Sequence, residues 1–338
     1  MAKERAIVVG AGGIAGAWFP PLAAEKVEVV AVVDLDKGRA AQRCEEFKIR
    51  AVVSDDLAKV LREVPADFAV DLTVPEAHCA VTCAALGAGL HVIGEKPMAS
   101  SMAEARRMVR ASERAGRLYL VSQSRRWDAR HETMARTVTA GRLGRLTTLN
   151  CDFFLGAHFG GFRDEMKSPL ILDMSIHHFD MARMIGGKDA LRVWCAEFNP
   201  AGSWYKGDVA ANAVFEMADG VRFAYRGSWC AEGCHTSWNG DWRVIGNRGT
   251  MGYERDGEPH GQVLAGGTGF HRPLEDLRVV RSRLRHAGMH GALREMLAYL
   301  RTGRMPQTEC HDNIKSLAMV MAALESSRSG RTVPVKAL

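Results

Sequence analysis

The chain has 338 residues, of which 47% are hydrophobic and 25% charged, and its formal net charge is +6. That is enough apolar material for two buried cores, and the charge is too mild and too scattered, one basic cluster at 278–286 aside, to indicate a nucleic-acid surface. No apolar run is long enough to cross a bilayer, and the run at 6–9 is too short for a signal segment, so neither membrane nor nucleic acid is an expected partner; the eight scattered cysteines suit a reducing cytoplasm.

In chain order, residues 6–9 read as a short buried strand ending at a glycine turn, and 27–33 as a β-branched strand with Asp34 at its end. Helical patterns at 38–47, 54–63, 76–88 and 102–115 alternate with strand patterns at 68–73, 91–94 and 118–121, which calls for a parallel sheet with crossover helices. The pattern changes near residue 122. A helix at 128–140 is followed by strands at 146–155, 192–198, 209–217, 221–229, 242–245 and 251–254, with Ala218-Asp219-Gly220 as a hairpin turn. The Gly-rich stretch 256–269 reads as loop, and 290–300 and 310–327 as closing helices. The expected architecture is an α/β Rossmann-type domain over 1–122, then an α+β domain over 123–338 built on a large, mainly antiparallel open sheet. The last helix is expected to be able to pack back on the first domain.

Gly10-Ala11-Gly12-Gly13-Ile14-Ala15-Gly16 follows a strand and opens a helix. Glycines permit the tight turn and the close approach of backbone to phosphate, and the helix N-terminus favours the negative charge. Such a turn alone says little. Here Asp34 stands about 20 residues further on, where an acid bonds the ribose hydroxyls of a dinucleotide. A carboxylate there repels a 2′-phosphate, so NAD is expected over NADP, with NADP kept open because Lys37 and Arg39 lie close.

Four ordered motifs then mark a family. Thr73-Val74-Pro75-Glu76-Ala77-His78, Glu95-Lys96-Pro97, Leu172-Asp173-Met174-Ser175-Ile176-His177-His178-Phe179-Asp180 and Glu325-Ser326-Ser327-Arg328-Ser329-Gly330-Arg331 resemble the glucose–fructose oxidoreductase / inositol dehydrogenase / rhizopine-catabolism protein family over nearly the whole chain. The resemblance implies that Thr73, Val74, Pro75, His78, Glu95, Lys96 and Pro97 contribute to the cofactor site beside Gly10, Gly12, Gly13, Ile14, Ala15 and Asp34. It also implies a catalytic trio of Lys96, Asp173 and His177.

The trio makes chemical sense on its own. Oxidising an alcohol needs a hydride acceptor, a base for the hydroxyl proton and a cation for the developing alkoxide. Lys96 sits just past a strand end, where ligands gather on open parallel sheets. Asp173 and His177 are spaced i,i+4 and are expected on one face of an α-helix, the acid fixing the imidazole. His177 is the expected general acid/base. By family analogy Arg126 and its neighbour Trp127 are substrate contacts. His158, Arg163 and His178 are pocket-lining candidates, and Trp229, His235 and Trp238 candidates for stacking on a sugar-like ring. The expected activity is hydride transfer between nicotinamide and a hydroxyl or carbonyl carbon of a sugar, polyol or cyclitol. The alternative is a non-catalytic, NAD(P)-sensing regulatory or binding protein on the same fold. No metal is expected, since neither His78/Cys79/Cys83 nor Cys230/Cys234/His235 has structural-zinc spacing. A homodimer or homotetramer through the second domain's sheet is expected, because an open sheet face would otherwise expose apolar residues.

Overall fold

A computed structural model describes residues 3–338, and their contacts divide the chain into two compact units. One contains the chain up to Ser124 together with Arg285–Ile314; the other contains Arg125–Leu284 and Lys315–Ala337. The segment Arg285–Ile314 therefore belongs with the first half, not with the second domain to which the sequence reading assigned it. The physical reason is packing. The Gly288–Thr302 helix lies against the Ala15–Ala24 helix, Arg301 pairs with Glu4 at 2.6 Å, and Val121 bonds Thr308 across the chain return.

Among the described residues the first unit holds a six-stranded sheet of β1 (Arg5–Val9), β2 (Glu28–Val33), β3 (Val52–Ser54), β4 (Phe68–Asp71), β5 (His91–Glu95) and β6 (Tyr119–Ser122). The spatial order is β3-β2-β1-β4-β5-β6 and every pair is parallel. This is the doubly wound arrangement, in which the strand order reverses between β1 and β4. β4 and β6 are buried along their whole length, apolar but for Asp71 and Ser122 at their C-terminal ends, as strands with helices over both faces are. Asp36, Asp56 and Ser101 cap three of the helices by accepting from the backbone N–H groups of Arg39, Lys59 and Glu104. The short strand β3 escapes the sequence reading because its three residues have no pattern to repeat.

The second unit's sheet has nine strands among the described residues. They are β7 (Leu146–Phe154), β8 (Ala190–Phe198), β9 (Ala210–Met217), β10 (Arg222–Ser228), β11 (Asp241–Gly246), β12 (Gly249–Tyr253), β13 (His260–Leu264), β14 (Leu274–Asp276) and β15 (Val333–Pro334), ordered β14-β13-β12-β11-β7-β10-β9-β8-β15. All pairs are antiparallel except β7 with β10. Asp219 (φ 56°) and Gly220 (φ 76°) make the turn that joins β9 to β10. β13 overturns part of the loop expected at 256–269: His260–Leu264 pairs with β12 and with β14 at the sheet edge, where short strands with exposed side chains suffice. The inner face is covered by the Ile176–Gly186 helix, whose Phe179 ring meets Phe215, Phe223 and Tyr225 at 4.8–6.1 Å. No helix among the described residues is long and apolar enough to cross a membrane.

Candidate active site

The nucleotide half lies at the C-terminal ends of β1, β4 and β5. Gly10 ends β1 with φ +97°, and a Cβ there would stand 2.7 Å from the backbone of Leu72, just past β4. Only glycine lets the two strand ends approach so closely at the point where strand order reverses. At Gly12 and Gly13 an added Cβ would meet no protein atom within 4 Å. That open, side-chain-free rim leads into the Ala15–Ala24 helix, as a pyrophosphate cradle requires. Asp34 shapes the turn as well as facing it. One carboxylate oxygen accepts from Ala11 N–H at 2.7 Å, the other from Asp36 N–H at 2.8 Å, and Arg39 stands 3.7 Å away. Arg43, which the sequence did not single out, donates to the carbonyls of Ala11 and Gly12 at 3.3 Å each.

A second contact set ties the β4 and β5 ends together. The buried Asp71 accepts from Thr73 N–H and Oγ1 and from Thr82 Oγ1, at 2.6–3.2 Å, fixing the turn that carries Thr73, Val74 and Pro75. The nitrogens of the buried His78 ring each lie 2.9 Å from a backbone carbonyl, Pro97 on one side and Thr73 on the other. His78 thus holds two cofactor-side loops in register. Glu95 is buried at the end of β5. Burial pushes its carboxyl up, while the Trp18 indole N–H, at 2.8 Å, and the charge of Lys96 draw it back. Lys96 follows directly and is half-buried, one strand along from the place where strand order reverses.

The second unit carries the other candidates. Leu170–Ser175 winds as a π-helical turn that leads into the Ile176–Gly186 α-helix. Asp173 belongs to the wide turn and His177 to the α-helix that follows it, so the regular α-helix expected to carry both begins only at Ile176. Both are half-buried, with buried residues on either side of His177. Asp173 accepts from Arg163 Nε at 2.7 Å, and the Arg163 guanidinium stacks over the rings of Phe159 (4.9 Å) and Phe162 (4.7 Å). The structure therefore joins two predicted residues, Arg163 and Asp173, that the sequence had placed in separate roles.

Three substrate candidates are corrected. Arg126 is buried in a two-pronged ion pair with Asp180, both bonds 2.7 Å, and its charge is spent inside the unit. Trp127 is 2% exposed and packs as core. His178 is fully buried between Phe153 and Tyr225, and burial holds it well below the usual histidine range, so it is a neutral core ring. Trp229 is likewise core, whereas Trp238 is 45% exposed. His158 is exposed, stacked on Trp204 at 3.6 Å and bonded to Glu232.

Residues 5–123 match the oxidoreductase family with the NAD-binding Rossmann fold, and residues 131–252 match the GFO/IDH/MocA C-terminal domain. An uncharacterized protein of Sinorhizobium fredii is 27% identical, covering 98% of this chain and 96% of its own length. D-apiose dehydrogenase of Paraburkholderia graminis is 29% identical over 92% of this chain and 84% of its own. An Agrobacterium radiobacter oxidoreductase, solved with NAD+, L-tartaric acid and magnesium, superposes with a TM-score of 0.86 at 21% identity, covering 99% of both chains. The strand-order reversal at Gly10, the NAD-binding first half and the matched second half agree, and the chain belongs to the GFO/IDH/MocA family of NAD-binding oxidoreductases.

Proposed function

We propose that the protein is a dehydrogenase that uses NAD to oxidise a hydroxyl group of a sugar, polyol or cyclitol, or reduces the matching carbonyl. The observation that carries this is the position of Lys96 at the end of β5, next in the sheet to the paired ends of β1 and β4 where the cofactor cradle forms. NAD, held by the Gly10–Gly16 turn and Asp34, would supply the hydride acceptor for the carbinol carbon. Lys96 supplies the positive charge that stabilises the alkoxide as the O–H proton leaves. His177 takes that proton, and Asp173, braced by Arg163, acts on the substrate side of the same step. The products are a carbonyl compound, reduced nicotinamide and one proton. Asp34 favours NAD over NADP, because its carboxylate oxygens already order the turn and repel a 2′-phosphate.

The sugar-like class rests on exposed aromatic surface beside Asp173. Phe159, Phe162 and Trp238 are 41%, 66% and 45% exposed, and flat apolar rings with a nearby ion pair suit C–H faces edged by hydroxyls. D-apiose dehydrogenase among the relatives points the same way. A panel of aldoses, polyols and cyclitols with NAD, followed by absorbance of the reduced nicotinamide, tests the reading. Lys96→Ala is expected to lower kcat by about a thousandfold and, because the glycine turn and Asp34 carry most of the cofactor contacts, to weaken NAD binding only severalfold. Tight NAD binding with no turnover on any substrate would favour the sensing protein instead.

Two further properties belong to the same reading. Trp194, Phe198 and Val214 are 42–46% exposed on β8 and β9, with Trp194 opposite Val214, and form an apolar field on the open sheet face, so the sheets of two copies are expected to pair. Trp194→Glu should turn the assembly into monomers in light scattering; a monomeric parent at micromolar concentration refutes the pairing. All eight cysteines are free thiols, which supports a cytoplasmic location.

A further inference from the structure

Glu25, His286 and His290 meet in the nucleotide unit, away from the cofactor cradle. Glu25 caps the C-terminal end of the Ala15–Ala24 helix. His290 is in the first turn of the Gly288–Thr302 helix, and His286 stands two residues before that helix. The two imidazole centroids are 4.3 Å apart with planes tilted by 49°, and His290 Nε2 lies 2.7 Å from Glu25 Oε1, across 265 positions of sequence. One ligand atom from each residue lies within 4.8 Å of the other two, and all three side chains are half-buried.

We propose that Glu25, His286 and His290 form a binding site for a transition-metal dication of the Zn2+ or Ni2+ type. Two imidazole nitrogens and one carboxylate oxygen suit such ions, whereas Mg2+ and Ca2+ require sets dominated by oxygen. Bonds of about 2.0–2.2 Å from three ligands need only small side-chain rotations from this spread, and water completes the shell. The ion would fasten the end of the helix that follows the glycine turn to the segment that returns to this unit from far along the chain. Arg294 opposes it. Its guanidinium donates to the same Glu25 oxygen at 3.0 Å, and Arg285 adds positive charge near His286. Affinity is therefore set in the micromolar range, not lower.

The test uses the full-length protein, stripped with EDTA and titrated by calorimetry with Ni2+ and, separately, Zn2+. The parent is expected to bind one equivalent at micromolar Kd, and its unfolding midpoint should rise because the folded chain alone presents the site. Glu25→Gln should weaken binding by about tenfold or more, and the His286→Ala/His290→Ala pair should abolish both the equivalent and the shift. Mg2+ should produce neither. His286→Ala alone, at a half-exposed ring ahead of the helix, gives the same comparison if the double variant folds poorly. Absence of saturable binding below millimolar metal overturns the proposal. An undiminished equivalent in the histidine variants overturns it as well, because it assigns the metal to the thiols.

Discussion

Strands β4 and β6 of the parallel sheet are buried residue after residue, whereas β8 and β9 of the nine-stranded sheet alternate buried and exposed positions. The difference decides where each sheet can do work. With both faces covered, the parallel sheet offers ligands only its strand ends, and Gly10, Thr73 and Lys96 all lie there. The antiparallel sheet has its inner face under the Ile176–Gly186 helix and its outer face free. Across that outer face Arg226 meets Asp152 and Arg192 meets Glu216 at 3.1 Å, beside the apolar residues of β8 and β9. Charges paired in place and apolar side chains between them make a surface that suits another protein surface better than a small molecule.

The comparison breaks first at its polar anchors. In the sheet unit, Arg126 and Asp180 are both almost fully buried, and Asp180 also accepts from Ser316 Oγ at 2.6 Å. Arg126→Ala leaves that carboxylate without its main counter-charge, and denaturant unfolding is expected to show a loss of about 3–5 kcal/mol. A loss under about 1 kcal/mol would return Arg126 to the substrate-contact role read from sequence. In the nucleotide unit the counterpart is a backbone position. Gly10→Ala forces a Cβ against Leu72 at a positive φ, at an expected cost of roughly 1–3 kcal/mol. It should also weaken NAD binding, measured by quenching of tryptophan fluorescence, which Arg126→Ala should leave nearly intact.

How much of this was legible in the sequence also differs between the halves. The runs at 6–9 and 68–73, the glycine turn and Asp34 were readable because each carries its own local signal: a short apolar run, glycines before a helix, an acid at a strand end. Alternation and the Asp219-Gly220 turn likewise exposed the central strands of the larger sheet. Long-range pairings left no such trace. Arg126 reads like any arginine beside an aromatic until Asp180 is placed against it, 54 positions away. The support of the glycine turn by Arg43 depends on a helix crossing back 31–32 positions later. The π turn at Leu170–Ser175 was invisible because its apolar spacing passes for α-helix, and nothing ten positions earlier marked Arg163 as a partner of Asp173. The strands β13 and β14 were hidden by glycine and by edge positions that need no buried face.

The smallest of these effects gives the finest comparison, between two half-satisfied carboxyls. Glu95, in the parallel sheet, stays raised by burial, drawn back only in part by Trp18 and Lys96. Glu197, in β8, is pushed up to about 7 by burial, with a single long hydrogen bond from Ser168 at 3.4 Å; its Oε1 has no hydrogen-bond partner among the described residues. Its ordinary value is 4.5. Between these two values the unfolded chain gives up the proton and the folded chain keeps it, so stability falls as pH rises through that window and then stays low. Glu197→Gln removes the titration. The variant should match the parent near pH 4.5 and exceed it above pH 7, by roughly 1–2 kcal/mol once solvent screening of a partly exposed group is allowed for. Denaturant unfolding across this range measures the gap directly. Should the gap stay constant with pH, the carboxyl of Glu197 is paired in solution, and the contrast between the two sheets rests on their faces and strand ends alone.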